Sequence, residues 1–336
     1  MKWVIAMGAL GGALIGTSAL LFVVHPGAAL ANDANRAAMA GACQDLDRDG
    51  YGINCPKGPD CNDRDPRVSP AQTETCNLRD DNCNGVVDDA AGCNGVAYDT
   101  APVDVTAGAF FMGSPMNQGA DDEHPQHVVQ VAAFRIDRYE VTNERYLACV
   151  NANVCSSPQL KSSARRTDYF GNSTFARYPV VFVNWDQAST FCRWDGGRLP
   201  TEAEWELVAR GPAPSKRIFP WGDEAPDCTK ANMGGDASCV GDTDLVGRRT
   251  WGASPWGAMD MAGNVWEWTA DWYDARYYQR SPQHDPQGPT EGALKVMRGG
   301  CWMSGADSMR VSCRKAELPN TWAPNVGFRC VRSQGR

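Results

Sequence analysis

The sequence predicts an α+β domain with irregular loops, preceded by a small module that depends on disulfides and calcium. Three observations carry this expectation. Apolar β-branched runs and capped helix starts occur between long stretches rich in Gly, Pro, Asp and Trp. The 14 cysteines divide into six at 43–93 and eight at 149–330, two even sets that fit two separately stapled domains. The first set lies in a segment with 11 acidic against 5 basic residues and few apolar ones, so metal and disulfides must replace a core there.

Residues 1–31 read as an export signal. Lys2 is followed by an apolar run from Trp3 to Val24, Pro26 breaks the run, and Ala29-Leu30-Ala31 offers a small-residue cleavage site. The run is also long enough to span a bilayer as an uncleaved anchor. Either way the remainder is expected to be secreted, periplasmic or in the cell envelope, where cysteines pair. Residues 32–42 read as a linker. The formal charge of −8 gives no electrostatic support for nucleic-acid binding, and membrane contact is expected only through the N-terminal run.

Within the module at 43–95, Asp45-Leu46-Asp47-Arg48-Asp49-Gly50 is a D-x-D-x-D-G loop. Asp80-Asp81-Asn82-Cys83-Asn84-Gly85 repeats the spacing, with Asp88 beyond it and Asp60, Asp63 and Asp65 between. Alternate side chains in a tight loop converge, and hard oxygen ligands suit Ca²⁺. Neither loop is an EF-hand, because the twelfth positions are Pro56 and Ala91 rather than glutamate. Asp47-x-Asp49-Gly50, Asp60-Cys61-Asn62-Asp63-x-Asp65-Pro66 and Asp81-Asn82-Cys83-Asn84-Gly85 resemble the Cys/Asp-rich metal-binding motifs of the MopE type.

In the larger part, 97–333, Phe110–Gly113 reads as a strand entering a turn and Val128–Phe134 as a second strand. A helix is expected over Glu144–Val150 with Thr142 or Asn143 as N-cap. Val180–Trp185 reads as a buried strand leading into a helix from Asp186 to about Trp194. Thr201 followed by Glu204 is a capping box opening a helix over roughly 202–210. Only short strands and loops are expected over 211–290. Proximity suggests the local pairs Cys149–Cys155 and Cys228–Cys239. His124 and His127 have ligand-like spacing but no third histidine nearby, so they are expected to pack or lie at the surface.

Three long words appear in order: Gly197-Arg198-Leu199-Pro200-Thr201-Glu202-Ala203-Glu204-Trp205-Glu206, Gly263-Asn264-Val265-Trp266-Glu267-Trp268 and Asn325-Val326-Gly327-Phe328-Arg329-Cys330. With Tyr139-Glu140-Val141-Thr142-Asn143, Phe219-Pro220-Trp221-Gly222 and Met297-Arg298-Gly299-Gly300, they resemble the formylglycine-generating enzyme (sulfatase-modifying factor) family. The resemblance implies a compact variant of the C-type-lectin-like fold. It implies calcium around Gly263-Asn264-Val265-x-Glu267, and a second calcium starting at Asn232-Met233 with Asp236, Asp242 and Asp244 as candidates for its later ligands. It also implies a Cys192–Cys330 bridge.

The family's oxidases hold copper(I) with two thiolates, soft ligands suited to that ion. The resemblance places those positions on Ser304 and near Ser308 or Met309, so the formylglycine reaction is expected to fail. Cys301 replaces a family serine. Cys313 matches a family cysteine whose partner position is Ala209 here, so a Cys301–Cys313 bridge is expected. Trp268 matches a pocket tryptophan, and Arg298, Arg310, Arg314, Asn325 and Arg329 fall in the pocket-forming part. The reading is a secreted calcium-binding module, without oxidase activity, that takes an unknown protein or cell-envelope ligand through about Trp302–Trp322. The alternative is a formylglycine-generating oxidase or related exported oxidoreductase using Cys301 and Cys313, with copper as its cofactor. The absent histidine triad counts against the family's iron-dependent sulfoxide synthase branch.

Overall fold

A computed structural model describes residues 43–60, 65–73, 81–83, 101–235 and 238–333. The export signal and linker at 1–42, the ligand candidates Asp63, Asp80, Asn84, Asp88 and Asp236, and Cys61, Cys76 and Cys93 lie outside the described residues. The chain forms two compact units, one of 43–72 with 81–83 and one comprising the C-terminal remainder.

In the first unit a Cys43–Cys55 disulfide and a Gln44–Ile53 bridge close the aspartate loop. Asp45 accepts from Gly50 N at 2.9 Å, and Gly50 has φ +97°, a left-handed conformation that a side chain would strain. The carboxylates of Asp45, Asp47 and Asp49 converge, each offering an oxygen within 4.8 Å of the others.

In the second unit, β1 (Val103–Val105), β4 (Phe134–Ile136) and β9 (Val331–Ser333) form an antiparallel sheet with β4 in the centre. β2 (Gly108–Met112) and β3 (His127–Val131) form a separate hairpin. The single strand expected over Val128–Phe134 is therefore two. The chain leaves one sheet for the other at Ala132, whose N–H donates to Asp285 Oδ1 at 2.7 Å instead of to a strand.

Helix α1 (Asn143–Asn151) is capped by Thr142, and α2 (Trp185–Trp194) by an Asn184/Gln187 capping box. Helix α3 (Glu202–Arg210) has the Thr201/Glu204 box, and every residue of it is buried. Val180–Val183 is buried, but no strand forms before α2 begins at Trp185. Phe182 sits at φ +58° and its backbone bonds reach Ala323 O and Gln159 N, two unrelated segments, so no ladder forms.

The C-terminal sheet has the order β7-β6-β5-β8: β5 (Trp266–Trp272), β6 (Lys295–Arg298), β7 (Lys315–Glu317) and β8 (Val326–Gly327), with β8 parallel to β5. One apolar cluster joins β1–β4 to α3 through Trp205, and another joins α1 and α2 to β5 and β8 through Tyr146, Phe191, Trp268 and Phe328. Disulfides link Cys149–Cys155, Cys192–Cys330 and Cys228–Cys239.

Candidate functional site

The turn after β6 is positioned by the Gly263-Asn264 step. Both residues have positive φ, and a Cβ on Gly263 would lie 2.4 Å from Asn232 O, so a side chain is excluded there. Asn264 then becomes a buried hub. Its Oδ1 accepts from Asp244 N at 2.8 Å and Asn232 Nδ2 at 3.2 Å, and its Nδ2 donates to Glu140 Oε2 at 3.1 Å. Its carbonyl accepts from Trp302 N at 2.9 Å, which fixes the 301–304 turn. Within that turn Cys301 N donates to Ser304 Oγ at 3.0 Å. The Cys301 sulfur lies 3.3 Å from Ser304 Oγ and accepts from Asn325 Nδ2 at 3.3 Å.

The expected Cys301–Cys313 disulfide is absent, and both thiols are free. Cys301 turns its sulfur to Asn325, whereas Cys313 is fixed in another turn, where its N–H donates to Arg310 O and its carbonyl accepts from Arg298 Nη1 at 2.6 Å. Burial pushes the Cys313 thiol up to about 11, so it is not a thiolate at neutral pH. Met309 is fully buried among Phe219, Ala231, Met233 and Ala262. Trp268, expected at a pocket, has no exposed surface and donates to Val183 O at 3.2 Å, so it is a core residue. A cleft of about 220 Å³ walled by Ser114, Arg210, Lys216 and Arg310 includes one of the expected pocket arginines, Arg310, but not Trp268. The stretch 302–322 nevertheless presents apolar groups to solvent: Met303 is 51% exposed, Leu318 50% and Trp322 42%.

The arginines behind the turn are structural. Arg298, with no exposed side-chain surface, donates to Glu206 Oε2 at 2.5 Å and to the carbonyls of Val311, Ser312 and Cys313. Arg314 makes a two-pronged pair with Glu202, and Arg310 with Glu123. His124 Nδ1 and His127 Nδ1 lie 2.9 Å from the carbonyls of Ser114 and Pro125, local contacts and no metal set.

The expected calcium ligands are rearranged. Glu267 gives both carboxylate oxygens to Arg329, at 2.6 and 2.7 Å, and also accepts from Trp205 Nε1 at 2.8 Å. An arginine thus holds the carboxylate assigned to the metal. Beside it, the sequence reading missed Glu140 and Asp260. Glu140 is fully buried with Oε1 lacking a hydrogen-bond partner, and burial, reinforced by the charges of Asp260 and Glu267, raises it well above the carboxylate range. Burial likewise raises Asp260 to about 6. Position 260, three residues before the Gly263 word, was the signal available. Glu140 Oε1 is thus a buried hard oxygen of the kind that suits a divalent cation, while Asp260 Oδ2 already accepts from Gly247 N. Asp242 and Asp244 are instead paired with Arg166, Arg248 and Arg249. In the N-terminal unit Asp65 is paired with Arg67 through both oxygens, and Asn82 is half-buried.

Asp271, at the end of β5, accepts from Glu202 N at 2.8 Å, and burial followed by the Glu202 charge pushes it up to about 8. Its raised folded-state value makes the native form bind the extra proton. The stability it contributes is therefore present below about pH 4 and is lost as pH rises towards 8. Asp271→Asn keeps the acceptor oxygen without the charge. Thermal melts should show it about 1–2 kcal/mol more stable than the parent at pH 8 and equal to it near pH 4.

Residues 95–334 match the family model described as the sulfatase-modifying factor enzyme 1-like domain, and 60–89 match one described as "Putative metal-binding motif". The chain is 38% identical over 245 residues to the serine/threonine-protein kinase pkn1 of Chlamydia caviae, covering 69% of this chain but only 38% of that one. It is 33% identical over 283 residues to the formylglycine-generating enzyme of Streptomyces coelicolor, covering 68% and 88% of the two chains. It is 30% identical over 291 residues to the Mus musculus protein named inactive C-alpha-formylglycine-generating enzyme 2, covering 72% and 89%. PvdO from Pseudomonas aeruginosa shares the mixed α and β fold with a TM-score of 0.59 at 27% identity, over 69% and 94% of the chains. With a family model that spans most of its length and the three sequence words built into one site, this chain belongs to the sulfatase-modifying factor (formylglycine-generating enzyme) family and carries a MopE-type motif before that domain.

Proposed function

We propose that this protein is an exported, calcium-stabilised member of the family that does not oxidise cysteine to formylglycine and instead binds a ligand or partner through the 302–322 surface. The observation that carries this reading is the side chains at the copper positions. The first falls on Ser304 and the second on Ser308, also a hydroxyl, or on Met309, sealed in an apolar cluster, while Cys313, at neither position, is held as a thiol. No pair of thiolates is available there for copper(I). The exposed Met303, Leu318 and Trp322 supply an apolar contact surface, and such aromatic and methionine side chains are favoured at interfaces. Glu140 and Asp260 in the domain, and Asp45, Asp47 and Asp49 before it, are the oxygen sets for calcium.

The test is incubation of the full chain with copper(I), oxygen and a cysteine peptide, with aldehyde read by mass spectrometry. No aldehyde above a copper-only blank is expected. Aldehyde that disappears in Cys301→Ser would overturn the reading and establish the second one, an exported oxidoreductase. That second reading has one observation in its favour: the Cys301 sulfur, beside Ser304 Oγ and the Asn325 amide, sits next to the copper position.

A further inference from the structure

The second calcium implied at Asn232-Met233 meets a different arrangement. The Met233 carbonyl is taken by Cys239 N at 3.0 Å, and the Cys228–Cys239 disulfide brackets the loop. Asp244, almost fully buried, accepts from Arg249 Nη1 at 2.7 Å, Arg248 Nη1 at 3.3 Å and Leu245 N at 2.9 Å. Asp242 accepts from Ser163 Oγ at 2.5 Å, Thr243 N at 2.7 Å and Arg165 N at 2.9 Å, and pairs with Arg166 at 3.1 Å. Calcium needs six to eight oxygens. Among the described residues of this set, Asn232 Oδ1 is the one side-chain oxygen without a hydrogen-bond donor, too little for that shell.

Arg249 completes the pattern. Its Nε donates to Cys228 O at 2.9 Å while Nη1 holds Asp244. A single buried guanidinium thus ties a loop carbonyl to an acid, as a cation would, with directed donors. The loop in turn braces the functional turn. Gly234 N donates to Ser304 O at 3.0 Å, and a Cβ on Gly234 would strike the Met303 backbone at 2.5 Å.

We propose that the Arg249 guanidinium, with the Cys228–Cys239 bridge, takes the place of the second calcium, so that the loop supporting the 301–304 turn is ordered without metal. This stands apart from the cation assigned to Glu140 and Asp260. The two acids of the loop have arginines as their counter-ions, whereas Glu140 has no ion pair among the described residues.

Hydrogen exchange read by mass spectrometry on the full chain tests this, with and without a calcium chelator. Protection over 229–249 should be unchanged by the chelator. Arg249→Met should exchange at least tenfold faster there, and Arg249→Lys, which keeps the charge but cannot span Cys228 O and Asp244 together, should fall between. Loss of 229–249 protection in the parent on chelation, alone or with the rest of the domain, overturns the proposal. So does an Arg249→Met variant with parental protection. The parental chelation arm decides the question even when a variant does not fold. A chelator that leaves 260–267 unchanged counts against calcium at Glu140 and Asp260 but leaves the Arg249 proposal standing.

Discussion

Arg329→Met should lower the stability of the domain by about 3–5 kcal/mol, the cost of leaving a buried carboxylate without its partner. Arg329 has no exposed surface. It gives two bonds to Glu267 and three more to the carbonyls of Asp137, Arg138 and Met259. One side chain therefore joins β5, the segment after β4 and the loop before Gly263. Methionine fills much of the volume but satisfies none of these acceptors. Adding Glu267→Gln should recover part of the loss, because the charge goes while Trp205 Nε1 keeps an acceptor. Urea unfolding of the two variants measures both. A single-variant loss below about 1 kcal/mol, the range of exposed ion pairs, would show that the pair is solvated.

That pair also shows what the sequence could and could not convey. Local signals were legible because their physics is local. Thr201 with Glu204 and Thr142 before α1 are caps a few residues from the groups they satisfy, and Cys149–Cys155 and Cys228–Cys239 close short loops. The word containing Glu267 was recognisable, but its ion-pair partner lies 62 residues away, so the sequence alone did not show that this carboxylate pairs with Arg329. Val180–Trp185 misled for a related reason. β-branched, apolar composition signals burial, and burial was found, but whether a ladder forms depends on a neighbouring strand, and here Ala323 and Gln159 supply isolated bonds instead. Cys301 and Cys313 were paired by elimination, and elimination cannot see that the sulfur of Cys301 faces Asn325. Glu140 was within a quoted word, yet only burial beside Asp260 distinguishes it from any surface glutamate.

Replacing both Cys192 and Cys330 by alanine should cost about 2–5 kcal/mol, towards the upper end, because loop closure in the unfolded chain scales with the logarithm of loop length. This bridge spans 138 residues, against 6 for Cys149–Cys155, for which the same relation gives only about 2 kcal/mol. Position adds to length. Cys192 lies on α2 and Cys330 immediately precedes β9, and both are fully buried in the cluster around Phe191 and Phe328. β9 pairs with β4, which pairs with β1, so the bridge anchors the sheet that brings the two ends of the domain together. Unfolding midpoints of the two double-alanine variants, measured without reductant, should therefore separate clearly, with the Cys192/Cys330 variant lower. Equal midpoints would mean that the unfolded chain already holds α2 near the final strand, and that the bridge records a contact the apolar cluster makes without it.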